Sequence, residues 1–224
     1  MQSEIRHRPD FASVRFAMAK GESVQAEPGA MMGMSGGLKP TTNIPGGLLG
    51  AAKRALAGES VFLVTWTAEG ADETLHLAPP MPGDIVAIPV EAPLVVQRGG
   101  FLAATNGVSL DAQWAGAKGF FSGEGLVMLR ATGSGTLWLG SYGAISEREV
   151  DGVWRVDTGH IVAFDATLTW SVTRVGGWKS TFLSGEGLVV EFRGKGRVWF
   201  QTRSADTLAG FLHPFRRIRP KTNQ

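Results

Sequence analysis

The strongest constraint on the fold is a segment that occurs twice in the chain. FFSGEGLVMLRATGSGTLWL begins at Phe120, and TFLSGEGLVVEFRGKGRVWF begins at Thr181. Aligning the turn GSG at Gly133 with the turn GKG at Gly194 gives an offset of 61 residues and places Trp138 on Trp199. A period of this length indicates a repeat of one supersecondary unit.

A third, more diverged copy is predicted upstream. In AGESVFLVTW, Phe62 and Val64 take the places that Val127 and Leu129 hold in the second copy. We therefore predict a single domain over residues 1–224, with one repeat at 11–90 that carries an insertion at 36–57, a second at 91–150, a third at 151–210, and a basic tail at 211–224.

Each repeat has the pattern of β structure. TLTWSVT, from Thr167, alternates apolar and polar residues, as half-buried strands do. Glycine turns between apolar runs indicate hairpins, and GGLLGAAKRALAG, from Gly46, alone has helical character. A lone unit of this size leaves strand edges uncovered. We expect an all-β fold of three β-sandwich-like repeats in a pseudo-threefold arrangement, with one short helical insertion in the first repeat.

Composition excludes several classes of protein. The chain has no cysteine, so it has no disulfide framework, thiolate metal site or thiol nucleophile. The segment MQSEIRHRPD lacks the apolar core of a signal peptide, and a cytoplasmic location is expected. The net charge is +2, but four cations lie in the last stretch, at Arg216, Arg217, Arg219 and Lys221. The rest of the chain has no excess of positive charge, which disfavours nucleic-acid binding.

Candidate ligand-binding residues recur with the repeat or lie close to one another. Glu59, Glu124 and Glu186 hold equivalent places in the three repeats, and the alternatives are that they converge to hold a cation or that each accepts backbone N–H bonds in a turn. Asp157 lies three residues before His160, a histidine that serves as a base or as a strand-edge hydrogen-bonding group. No HExxH or phosphate-loop motif occurs, and we predict no catalytic residue, metal ligand or cofactor.

A candidate interface lies in and beside the insertion of the first repeat. Flexible methionines precede the apolar strip of the predicted helix, which also carries two cations. Such a segment docks on another subunit, a protein partner or a membrane surface, or it packs in the core. The interface candidates are Met31, Met32, Met34, Leu48, Leu49, Lys53 and Arg54.

Several stretches resemble the family named for altered inheritance of mitochondria, number 24. They include PGAMMGMS, LAPPMPGDIVAI, VDTGHIVAFD and SGEGLVVEFRGKGRVWFQTR, in order from about Gln25 to Arg203. The resemblance implies an all-β fold of three pseudo-symmetric units, similar to that of the tryptophan RNA-binding attenuation protein. It implies no agreed enzymatic activity, cofactor or catalytic residue.

The leading functional hypothesis is a non-enzymatic scaffold or protein-binding module that associates with itself as a homo-oligomer. Two alternatives stay open. One is RNA binding, by analogy with the related fold alone. The other is a small-ligand or enzyme site between repeats, built from Glu124, Glu186, His160 and Asp157.

Overall fold

The computed structural model describes residues 1–43, 63–114, 127–174 and 188–216. Most of these residues lie in strands, which confirms the predicted all-β class. The helix of the described part, α1, spans Ala205–Leu212, and short 3-10 turns span Arg98–Gly100, Thr158–His160 and His213–Phe215. None of the described segments forms a helix long and apolar enough to cross a membrane.

The strands of the described residues are numbered in chain order. They are β1 Gln2–Arg6, β2 Ser13–Met18, β3 Ser23–Ala26, β4 Met31–Met34, β5 Leu38–Asn43, β6 Leu63–Ala68, β7 Glu73–Leu77, β8 Ile85–Val90, β9 Leu94–Gln97, β10 Phe101–Thr105, β11 Val108–Trp114, β12 Val127–Gly133, β13 Gly135–Gly140, β14 Ile145–Asp157, β15 Ile161–Asp165, β16 Thr169–Arg174 and β17 Leu188–Gln201.

These strands form three antiparallel sheets. The first has the order β1-β2-β7-β4, and the second has the order β5-β6-β3-β10-β13-β8. The third has the order β11-β12-β9-β15-β17-β14, and β16 also pairs with β17. Strands distant in the chain are therefore neighbours in each sheet, which ties the chain together.

One pattern of strand pairing occurs in three consecutive sets of strands. Set 1 is β2–β7, set 2 is β8–β13, and set 3 is β14–β17. In sets 1 and 2 the last strand pairs with the first and third strands, and the fifth pairs with the second and fourth. In set 3 the long strands β14 and β17 each supply two of these positions. Successive sets are joined by the pairs β3·β10 and β9·β15.

Apolar side chains from facing sheets form the core. One buried cluster joins β2 and β7 of the first sheet to β3, β10 and β13 of the second, and its Phe16 and Trp138 rings lie 4.8 Å apart. A second cluster joins the second and third sheets, and a third gathers around β17, where Phe164 contacts Phe192 at 4.9 Å. These edge-to-face contacts add to the burial of apolar area.

The two tryptophans matched by the sequence offset hold the same register. Trp138 lies opposite Ala103, and Trp199 lies opposite Ala163. Both side chains are 2% exposed. The Trp199 Nε1–H donates to Glu147 Oε2 at 2.8 Å, whereas the buried Trp138 Nε1 has no hydrogen-bond partner among the described residues. The shared residue therefore fills core volume in both sets rather than making a shared polar contact.

The structure differs from the sequence expectation at two places. Residues 38–43 of the predicted insertion form strand β5, which pairs with β6. The helix predicted from Gly46 lies outside the described residues. The helix α1 is not predicted, although Ser204 caps it by accepting a bond from the Thr207 N–H at 3.5 Å. Its last residues occupy the start of the predicted tail.

Candidate functional site

The structure places some of the predicted site residues and not others. Met31, Met32 and Met34 lie on β4, while Asp157 and His160 flank the 3-10 turn after β14. The remaining candidates lie outside the described residues, namely Leu48, Leu49, Lys53, Arg54, Glu59, Glu124 and Glu186. The described candidates therefore form two groups, one on a strand edge and one at a turn.

Strand β4 is an open sheet edge. It pairs with β7 on one side, and the described residues supply no strand on its other side. The corresponding strands β10 and β15 pair on both sides. Open edges of this kind present unpaired N–H and C=O groups that can bind another strand.

Side-chain exposure also distinguishes β4 from β10 and β15. Met31, Met32 and Met34 are 41%, 62% and 45% exposed. The strands β4, β10 and β15 have a bulge at the same point of their pairing, so their residues can be aligned. Met31, Met32 and Met34 correspond to Phe101, Leu102 and Ala104 of β10, and to Ile161, Val162 and Phe164 of β15. All six counterparts are at most 3% exposed. The apolar side chains of β4 therefore occupy positions that the other two sets bury.

The second half of β14, Asp151–Asp157, is another open edge. It pairs with β17, whereas the corresponding strands β3 and β9 each have a second neighbour among the described residues. Val153 on this half is 52% exposed. Glu191 of β17 accepts a bond from Arg155 Nε at 2.7 Å, and this bond, with a further one from Arg193, lowers the pKa of Glu191. The ion pairs hold the edge in an extended conformation.

The turn between β14 and β15 uses its polar groups to hold the backbone. Asp157 Oδ1 accepts from the Gly159 N–H at 2.9 Å, and Gln201 Nε2 donates to Gly159 O at 3.0 Å. His160 Nδ1 lies 2.7 Å from Gln201 O. Because a carbonyl oxygen only accepts, Nδ1 carries the hydrogen of this bond. The structure thus brings Asp157 and His160 to one turn, where Gln201 fixes the geometry.

Two small cavities lie beside this turn. One of about 220 Å³ lies between the two 3-10 turns, and one of about 380 Å³ lies under α1. Residues that line them include Gln97, Tyr142, Gly159, His160, Gln201 and Leu208. Within the described residues, no group of three or more acidic or histidine side chains could hold a metal ion. The hydrogen bonds of this turn join the end of β14 and the start of β15 to the end of β17.

A half-buried glutamate, Glu27, lies at the junction between sets 1 and 2. Burial raises the pKa of Glu27 to about 7, and the nearby Arg98 guanidinium opposes part of this rise. The Glu27 N–H donates to Leu102 O at 2.9 Å across the same junction. The backbone of Glu27 therefore takes part in the contact between consecutive strand sets.

We expect Glu27→Gln to stabilise the protein at pH 8 and not at pH 4. The unfolded carboxyl ionises near its ordinary pKa of 4.5 and the folded one near 7, so folding loses stability as pH rises between these values. The group is partly solvated, so the gain in unfolding free energy is about 1 kcal/mol at pH 8. Urea unfolding at the two pH values measures it. The exposed Glu91→Gln is the control, and an equal gain from both variants would contradict the assignment.

Comparisons with known proteins give a consistent result. A family model described as mitochondrial biogenesis AIM24 matches residues 3–203. An uncharacterized protein of Streptococcus pyogenes serotype M6 is 30% identical, over 95% of this chain and 90% of its own length. The X-ray crystal structure of a protein from Streptococcus pyogenes is similar at a TM-score of 0.82 and 29% identity, over 96% of this chain and 99% of that one.

Proposed function

The chain belongs to the mitochondrial biogenesis AIM24 family, and from this premise we propose that it is a self-associating scaffold. Copies join head to tail when β4 of one copy adds to the second half of β14 in the next. The Streptococcus pyogenes relative is itself uncharacterized, so the proposal is based on the two open strand edges. The carrying observation is the exposure of Met31, Met32 and Met34 at positions that are buried in the other strand sets.

The strand sets supply the first argument. We take sets 1, 2 and 3 as the three repeats, in a pseudo-threefold arrangement. Each contact between consecutive repeats is a pair of the same kind, β3·β10 and then β9·β15. A third pair of this kind requires β14 and β4, which are not paired with each other within the described part of the chain. A second copy supplies the missing strand to each edge.

The existing pairs also specify a register. Ala103 lies opposite Ala26 in one pair, and Ala163 lies opposite Val96 in the other. The corresponding residues of the open edges are Gly33 and Val156. We therefore propose an antiparallel pair between copies in which Gly33 lies opposite Val156. A one-residue slip would turn every side chain to the opposite face, so burial of the methionines requires this register.

One backbone bond in this register can be tested by itself. The Glu27 N–H donates to Leu102 O, and the corresponding groups of the open edges are the Asp157 N–H and Met32 O. The φ angle of Asp157 is −58°, which proline adopts without strain. Substitution by proline thus removes a donor aimed at the next copy while the strand keeps its conformation.

We expect Asp157→Pro to weaken self-association by about tenfold or more, because the donor is lost and the ring meets the oxygen of Met32. Sedimentation velocity over a concentration series measures the effect on the full chain. Asp157→Ala is the matched control, since it also loses the bond to the Gly159 N–H but keeps its own N–H. If both variants associate like the natural protein, or if both lose association equally, the proposed pairing is wrong.

An interface of this kind joins two different surfaces, so each copy keeps one edge of each type available. Repeated head-to-tail contact closes into a ring when the rotation between copies permits and otherwise extends as a filament. Either product is a multivalent platform, in which the remaining surface of each copy is displayed many times. This multivalency is the sense in which we call the protein a scaffold.

A further inference from the structure

We infer that α1 and the turn after it bind the surface of an anionic phospholipid bilayer. This inference goes beyond self-association and rests on a different part of the chain. The helix has eight residues, and none of them is buried. So short a helix is marginal in water unless its apolar side packs on something. The C-terminal segment therefore has an apolar surface that the described part of the chain does not cover.

The apolar residues of this segment form one stripe. Leu208, Phe211, Leu212 and Phe215 follow the spacing that places side chains on one side of a helix. Leu208 is half-buried against the body of the protein. Phe211, Leu212 and Phe215 are 67%, 51% and 74% exposed, and the two phenylalanine rings lie 5.8 Å apart. We call these three exposed residues the C-terminal patch.

Charge around the patch indicates the chemistry of its partner. From Arg203 to the last residue the sequence has five cations and one acidic residue, Asp206. The cations are Arg203, Arg216, Arg217, Arg219 and Lys221. The rest of the chain then has 17 basic and 19 acidic residues, so the positive charge is concentrated in the stretch of sequence that contains the patch.

An anionic bilayer satisfies both features together. Its surface attracts each nearby Lys or Arg by about 1 kcal/mol, and its acyl boundary accepts shallowly inserted Phe and Leu side chains. A nucleic acid would neutralise the cations but would leave the aliphatic Leu212 without an apolar environment. Stable anchoring to a membrane surface takes two weak signals, and this segment supplies an apolar one and a basic one.

The test uses the full chain and vesicles of phosphatidylcholine that contain about 30% phosphatidylglycerol, in about 0.1 M salt. We expect the protein to float with these vesicles and to bind pure phosphatidylcholine vesicles about tenfold or more weakly. The double variant Phe211→Ser, Phe215→Ser should bind the anionic vesicles about tenfold or more weakly. Arg216→Gln should bind them about fivefold more weakly.

The control is Phe11→Ser, because Phe11 is 73% exposed and lies near the other end of the chain. We expect its vesicle binding to match that of the natural protein. Equal binding to both kinds of vesicle, binding to neither, or an equal loss from Phe11→Ser and from the double variant would each overturn the inference. Loss of self-association by the double variant without vesicles would also overturn it, since the patch would then cover a second copy.

The two proposals can fail separately. Vesicle binding should also be measured on Met32→Asp, which alters β4 and leaves the C-terminal patch unchanged. Binding of this variant as a single copy would support the lipid site even if the edge pairing is wrong. Absence of binding by both assembled and single-copy protein would remove the lipid site and leave the edge pairing as it stands.

Discussion

Met32→Asp is expected to weaken self-association by about 100-fold or more, which corresponds to about 2.7 kcal/mol or more of binding free energy. The corresponding residues Leu102 and Val162 are both fully buried between neighbouring strands. In the assembled protein, an aspartate at position 32 would lose its water and would lie opposite the acidic Asp157 in the proposed register. Burial of an unpaired charge costs several kcal/mol, unless the group takes up a proton.

The same substitution should leave the fold of the single copy unchanged. Met32 is 62% exposed there, and polar replacements at exposed positions change stability little. Sedimentation velocity reports association, and thermal unfolding of the dilute protein reports the fold. Phe11→Asp is the control, because it adds the same charge at an exposed apolar residue that lies on neither open edge. Association that survives Met32→Asp would rule out β4 as the contact.

A mixture provides a sharper test of the head-to-tail arrangement. Met32→Asp alters β4 but leaves the β14 edge intact, whereas Asp157→Pro alters β14 but leaves β4 intact. Copies of the two variants should therefore pair once, through the two unaltered edges, and stop at a dimer. A symmetric interface that uses the same edge twice would give no such mixed dimer.

The sequence predicts the all-β class and the register of its most similar parts. The offset that aligns Trp138 with Trp199 is reproduced by their cross-strand partners Ala103 and Ala163. Such positions are predictable because a buried Trp and the hairpin glycines before it are required wherever the same corner is packed. The sequence also singles out the methionines of β4, on the ground that methionine adapts to irregular surfaces.

The exposure of those methionines is not predictable from the sequence. Met31 and Phe101 have the same local pattern, yet Phe101 is buried in a core cluster that includes Val162 and Trp199 of set 3. Burial here depends on whether a strand from another part of the chain is present. For the same reason the sequence cannot supply Gln201 as the partner of His160, since the two residues are 41 positions apart.

The C-terminal segment was interpreted from its charge alone. The cations from Arg216 onward indicate a basic tail, and their charge by itself says nothing of the apolar spacing of Phe211, Leu212 and Phe215. An eight-residue helix with an internal glycine has a weak signal, and its cap Ser204 is recognised only when the Thr207 N–H is seen to approach it. Short helices depend on context that local patterns do not contain.

Arg8→Ala is expected to lower the free energy of unfolding by about 2–3 kcal/mol. Asp84 is 3% exposed and precedes β8, while Arg8 lies between β1 and β2. Arg8 Nε donates to Asp84 Oδ1 at 2.7 Å and Nη2 donates to Oδ2 at 2.8 Å, an arrangement that raises the pKa of Arg8. The pair therefore joins the start of the chain to the first strand of set 2.

Removal of Arg8 leaves a buried carboxylate that, within the described part of the chain, keeps a hydrogen bond from the Ile85 N–H at 2.8 Å. Breaking a buried ion pair from one side is strongly destabilising, and the half-exposed Arg8 side chain keeps the loss below the upper end of that range. The double variant Arg8→Ala, Asp84→Asn should regain about 1 kcal/mol, because the unpaired charge is absent. Urea unfolding measures both changes.

Arg6→Ala is the matched control for this pair. Arg6 also binds a carboxylate, with Nη2 at 2.6 Å from Glu4 Oε2, but these side chains are 43% and 57% exposed. Water replaces such a contact, and exposed ion pairs contribute little to stability. We therefore expect no measurable change from Arg6→Ala. Equal destabilisation by the two arginine variants would mean that positive charge near the start of the chain, and not the buried partner Asp84, determines the effect.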